Sequence, residues 1–267
     1  MGTHACKQVL CASLFLAIFA TAADQQLFQQ QLASIHDRLS AMKAWNSEED
    51  TRLKLQARDL TNSYVLGAIN QAVPTAAGIL EHNLNESFSQ AIGHMSMEDL
   101  RKFWGDVHYA SVLAAPWRGR SALVVGYMIP HGNTSLDVVE VALPVSGAYQ
   151  FVAAGGSEME NHELRLGLMS SGSSQAIRFL AYGRRLGANQ SLLRVVLYQL
   201  DDKSLVSLWS RSDLWQGSVS AGGNRIILTY QDAERFEKRT PPYFLREEYD
   251  LTTRGVKLAS KQWVYGQ

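Results

Sequence analysis

Cysteine is all but missing from this chain. Two occur in 267 residues, Cys6 and Cys11, and both sit in a short N-terminal leader. That leader has the three parts of a secretory signal peptide. It carries the basic Lys7 and no acid, then the apolar run VLCASLFLAIF (9–19), then the small residues ATAA (20–23) placed for a cut before Asp24. The run is shorter than the roughly 20 apolar residues of a spanning helix. Cleavage leaves a mature chain without cysteine. Disulfides, thiolate nucleophiles and cysteine-based zinc sites are then excluded. Cys11 follows Val9 and Leu10 rather than small residues, which argues against a lipid-modified cysteine. An exported chain of this length without disulfides stabilises itself by core burial.

Charge of one sign is missing too. The 25 Lys and Arg balance the 25 Asp and Glu, and loss of Lys7 moves the net charge only from 0 to −1. No excess is present to attract nucleic acid or an anionic membrane. With 46% hydrophobic and 19% charged residues, the chain is of the folded class. Familiar chemistry motifs are absent as well. There is no Gly-x-Ser-x-Gly elbow. VPTAAGIL and SAGGNR match neither a Walker loop nor a dinucleotide fingerprint. The histidines of the mature chain, His36, His82, His94, His108, His131 and His162, make no i+2 or i+4 pair that would form a local metal site. Neither a cofactor nor a metal is expected.

What is present divides into two textures. Residues 24–112 carry helical spacing. Phe28, Leu32, Ile35, Leu39 and Met42 form one apolar stripe. Asn46 or Ser47, with Asp50 three after Ser47, caps a second helix running to about Val73. Pro74 suits the first turn of a third, with Ile79, Leu80, Leu84, Phe88 and Ile92 on its apolar side. The first stripe has two readings: a helix packed on its neighbours, or a short coiled coil that joins copies of the chain. It lasts about two heptads, below the three or four of a sustained coiled coil.

From residue 117 to 267 the pattern is β. Ten runs read as strands: 121–129, 136–143, 148–154, 162–169, 176–183, 192–200, 204–210, 224–230, 243–251 and 256–263. Turn residues separate them, as in HGN, SGA, DDK and AGG. Short connections imply antiparallel meanders. The fold class expected is α+β, with a helical N-terminal region followed by an antiparallel β-meander domain built as a sandwich, a barrel or a partial propeller.

The candidate sites are few. In SMEDLRKFWGDVHYAS (96–111), Asp106 and His108 look like an acid–base pair. Ser96 and Asp99 form a capping box, and Leu100, Phe103, Trp104, Val107 and Ser111 fall on one helical face. On that helix Asp106 and His108 point about 200° apart, and Asp106 joins an i+4 ladder with Lys102 and Glu98. A site assembled from distant residues would draw on His108, His94, Asp106 and His131. Glu158, Glu160 and Glu163 with His162 read as a solvated turn, without the residue order of an EF-hand calcium loop. The aromatics of the β half pack across strands or line a groove for a sugar or peptide; Trp209, Trp215, Tyr243 and Trp263 are the ligand-binding candidates. Asn85, Asn133 and Asn189 begin Asn-x-Ser/Thr sequons, relevant only in a host that glycosylates secreted chains.

The function expected is an exported, non-catalytic binding or scaffold protein of the bacterial cell envelope, periplasmic or extracellular, with a protein or carbohydrate ligand on the β domain. The alternatives are a hydrolase built around His108 and a structural protein that self-associates through the Phe28–Met42 stripe.

Overall fold

The computed structural model describes residues 4–42, 47–71, 77–93, 108–131, 134–156, 163–170, 176–187, 190–202, 204–253 and 255–265, with side chains from residue 23 onward. Helix α1 is His4–Ala41, α2 is Glu48–Gln71 and α3 is Ala77–Ile92. The Ser47 hydroxyl accepts a hydrogen bond from the Asp50 amide at 3.1 Å, so α2 starts at its expected cap. No helix among the described residues is long and apolar enough to cross a membrane.

The expected stripe is real, and it faces the protein's own interior. Phe28, Leu32, Ile35 and Leu39 are all buried in the main core, with Met42 packed against it. The Phe28 ring stacks on Tyr64 of α2 at 4.1 Å and meets Phe88 of α3 edge-on at 5.9 Å. The coiled-coil reading is therefore corrected: these side chains have no free face for a second copy. On α3, Leu80, Leu84, Phe88 and Ile92 are buried as the spacing requires, but Ile79 is 54% exposed. Pro74 lies outside the described residues.

The β half has twelve described strands. The first sheet holds β1 Ala110–Trp117, β2 Arg120–His131, β3 Thr134–Val145 and β4 Ala148–Gly155. The second holds β5 Arg165–Met169, β6 Ala176–Gly187, β7 Gln190–Asp201 and β8 Ser204–Trp215. The third holds β9 Ser218–Gly222, β10 Arg225–Gln231, β11 Phe244–Thr252 and β12 Gly255–Val264, with the short helix α4 (Ala233–Glu237) between β10 and β11. Every pairing is antiparallel and joins strands consecutive in sequence. The sheets stack face to face with like strands together: β1 by β5 by β9, and β4 by β8 by β12. This is the blade-like option; none of the three sheets closes into a barrel.

Two strands escape the sequence pattern. Strand β1 begins at Ala110, inside the region expected to be helical (24–112), and runs to Trp117, ahead of the first expected strand at 121. The reason is tertiary. The Asn85 side chain on α3 accepts hydrogen bonds from the Tyr109 and Ala110 amides (2.8 and 3.1 Å) and donates to the Ala110 carbonyl (2.8 Å). Glu81, one turn earlier, accepts from the Val112 amide at 2.6 Å. The helix supplies the partners that an edge strand lacks. Strand β9 is five residues long and follows Gly217. A Cβ at Gly217 would lie 2.7 Å from the Leu193 Cβ, so only glycine lets this turn pass so close to β7.

Two cores result. One joins the helices, the first sheet and one face of the second; the other lies between the second and third sheets. The far face of the third sheet is finished with charge: Arg225 pairs with Asp250 and Glu248, and Arg246 with Glu248.

Candidate functional site

The sequence-derived candidates fare differently. His94 and Asp106 lie outside the described residues, as do Glu158, Glu160 and His162 of the acidic turn. His108 is not helical: it leads into β1 and its carbonyl accepts the Leu164 amide at 3.2 Å. Among the described residues no hydrogen bond or ion pair joins its ring to a carboxylate. His131, at the end of β2, is buried and donates from Nδ1 to the Ile129 carbonyl at 3.2 Å. Burial pushes it below its ordinary value, with Lys54 and His36 adding to the effect and the Ile129 carbonyl and Asp50 opposing it. His36 of α1 is buried at the same junction, and burial lowers it too, against Asp37. These two histidines belong to the seam between helices and sheet. Glu163 is paired with Arg165 at 2.6 Å, and no metal-binding group of three or more ligands occurs among the described residues.

Three of the four aromatic candidates, Trp215, Tyr243 and Trp263, meet α4, and the fourth, Trp209, meets the third sheet. Trp209 is tilted on Tyr249 at 4.9 Å. Trp215 meets Phe236 edge-on at 5.1 Å, and Phe236 meets Tyr243 at 5.7 Å. The Arg235 guanidinium sits 3.8 Å over the Trp263 ring. Phe236 and Arg235 come from α4, which the sequence reading passes over. Its signal was Asp232, whose carboxylate caps the helix by accepting the Arg235 amide at 2.8 Å. Each of the four rings thus has an intramolecular partner, and Trp263 keeps 39% of its surface exposed.

Beside them lies a closed charge cluster. The buried Glu247 carboxylate accepts from Arg211 (2.6 Å) and from the Tyr249 hydroxyl (2.7 Å), with Lys261 at 3.1 Å. Burial pushes Glu247 up, but Tyr249, Lys261 and Arg211 outweigh it and hold the carboxyl below its ordinary range. Burial and the Glu247 hydrogen bond push the Tyr249 hydroxyl up to about 12. With its partners satisfied, this cluster ties the second sheet to the third.

Two shallow grooves flank α1. One, of about 570 Å³, lies among the three helices, and the other, of about 830 Å³, runs between α1 and α2; Leu27 and Leu60 line both. The more chemically distinctive space is a cavity of about 240 Å³ between the second and third sheets. Its lining includes Glu163, Arg165, Tyr182, Arg184, Leu193 and Ser218. Register explains the convergence. Arg165 on β5 stands opposite Tyr182 on β6, and Arg184 is two residues further along β6, on the same face. Leu193 on β7 stands opposite Arg184. The tight turn at Gly217 brings Ser218 in from the third sheet.

The polar groups here are unevenly engaged. Arg165 donates from Nε to Glu163. Among the described residues, the Arg184 guanidinium and the Tyr182 hydroxyl make no hydrogen bond or ion pair. Burial pushes the Tyr182 hydroxyl above its ordinary value, with Arg165 pulling it down and Glu163 pushing it up. It is therefore a protonated donor at neutral pH. Tyr182 is one of the β-half aromatics that could line a groove, but Arg165, Arg184 and Ser218 are not candidates from sequence. The string AYGRRLG places Tyr182 and Arg184 on one strand face, but nothing local adds Arg165 or Ser218.

No family model matches the chain, and no curated protein matches it. Among solved structures, two complexes of a GH93 α-L-arabinofuranosidase from Fusarium graminearum, one with an iminosugar inhibitor and one with arabinobiose, give a TM-score of 0.27 at 12% identity. The alignment covers 57% of this chain and 50% of theirs. A likeness of that size carries no argument about this chain's fold or activity.

Proposed function

We propose that this chain is an exported, non-catalytic binding or scaffold protein of the bacterial cell envelope, and that its β domain holds a ligand between the second and third sheets. The observation that carries this reading is the pair of unspent donors, Arg184 and Tyr182, facing a half-open cavity. Polar groups inside a fold are ordinarily consumed by partners. A half-buried guanidinium and hydroxyl held ready by a rigid ladder are what orients a ligand. The leader supports the cell-envelope placement through its basic start, apolar run and small-residue end.

The test has two parts. Mass spectrometry of the protein from the secreted or periplasmic fraction of its host should give an N-terminus at Ala23 or Asp24; an intact Met1 there would overturn the leader assignment. Native mass spectrometry of the same material should show a co-purifying small molecule that is lost in Arg184→Gln. Turnover of that molecule into product would replace the binding reading with a hydrolytic one.

A further inference from the structure

We infer that the cavity between the second and third sheets takes a polyhydroxylated carboxylate, the chemical class of a sugar acid, an inference that rests on the binding role proposed above. Three features lead to that class. The first is charge. Two guanidiniums, Arg165 and Arg184, face one carboxylate, Glu163, leaving one positive charge for the ligand to neutralise. A monoanion neutralises it, whereas a doubly charged anion leaves one negative charge uncompensated beside Glu163. The planar guanidinium fork suits a planar carboxylate.

The second feature is the remaining polar set. Tyr182 donates or accepts, Ser218, whose proton goes to the Thr229 carbonyl at 3.5 Å, accepts, and Glu163 accepts only. That mixture pairs with hydroxyl groups, which need both donors and acceptors. The third is size and wall. At about 240 Å³ the space falls below the roughly 300–1,000 Å³ of pockets for drug-sized ligands. It has room for one small ring or the acidic end of a longer chain. Leu193 and Val219 give an apolar flank for the carbon face of such a ring.

The neighbouring site candidates do not compete for this role. Glu247 is satisfied by Arg211, Tyr249 and Lys261. The helical grooves have no feature that identifies what would cover them.

Calorimetric titration of the full-length mature protein with glucuronate, galacturonate, glucose and inorganic phosphate tests the inference. Glucuronate or galacturonate should bind at least about tenfold more tightly than glucose or phosphate, the minimum expected from one charge-assisted contact. Arg184→Gln should weaken that binding about tenfold or more, and Tyr182→Phe by a smaller factor, with the melting temperature of both variants near wild type. Equal binding of glucuronate and glucose, a preference for phosphate, or undiminished binding in Arg184→Gln overturns the inference. Binding of a neutral saccharide or peptide that Arg184→Gln abolishes would leave the binding role intact while overturning the ligand class. No binding by any probe, with nothing co-purifying, fails both.

Discussion

Arg58 and Glu140 lie 82 positions apart and meet at 2.7 Å, with the Arg58 Nε also donating to the same Glu140 oxygen at 3.0 Å. Asn62, one helical turn on, donates to that oxygen at 2.9 Å and accepts from the Tyr127 hydroxyl at 2.9 Å. One buried carboxylate thereby fastens α2 to the middle of the first sheet. Burial lowers Arg58, and the Glu140 contact more than offsets it, so the guanidinium stays charged.

Glu140→Ala should cost about 3 kcal/mol, the low end of the range for breaking a buried pair, because Arg58 keeps part of its surface in water. Urea unfolding measures it. The double variant Arg58→Met with Glu140→Leu should recover part of the loss, since neither charge is then stranded. A single variant as stable as wild type would show that the clamp is not what holds α2.

The seam histidines make stability depend on pH. Both His36 and His131 are held below their ordinary value of 6.5 by burial. A depressed histidine binds protons more readily when unfolded, so its contribution is complete above about pH 6.5 and is lost as pH falls through the lower folded value. The melting temperature should fall between pH 7.5 and pH 5. In the His36→Gln, His131→Gln double variant that fall should be shallower. Parallel curves would remove the two residues from the explanation.

Asn85 begins a sequon, yet its side-chain amide is occupied by the Tyr109 and Ala110 backbone. Expressed in a glycosylating host, the folded protein should be unmodified at Asn85, as read by peptide mass spectrometry. Asn85→Ala should destabilise by about 2–3 kcal/mol, because it leaves backbone groups of β1 unpaired. Full occupancy by glycan would contradict the placement of α3 against β1.

The two leucines Leu27 and Leu32 should behave oppositely. Leu32 is fully buried and Leu27 is 54% exposed. Leu32→Ala should cost about 2–5 kcal/mol, while Leu27→Ser should stay within about 0.5 kcal/mol. Sizing chromatography should give the same elution for wild type and Leu27→Ser. Stabilities that respond equally would mean that the stripe is not the core face.

The sequence by itself determined the order of the two halves, the helical spacing of α1 to α3, and ten of the strands. Each of these rests on local periodicity, 3.6 for Leu32 and Ile35, two for Ile226 and Leu228, which a chain carries whatever its neighbours do. The Ser47 cap was legible for the same reason. Only the tertiary structure decided that Ser111 belongs to a strand, since Asn85 and Glu81 supply partners from another element. It also decided that the Phe28–Met42 stripe turns inward, that the aromatic candidates meet Tyr249 and α4, and that Arg165, Tyr182 and Arg184 share a cavity with Ser218. The first three meet by pairing register and the fourth by sheet stacking. Both are relationships between segments distant in sequence, and no window of the chain contains them.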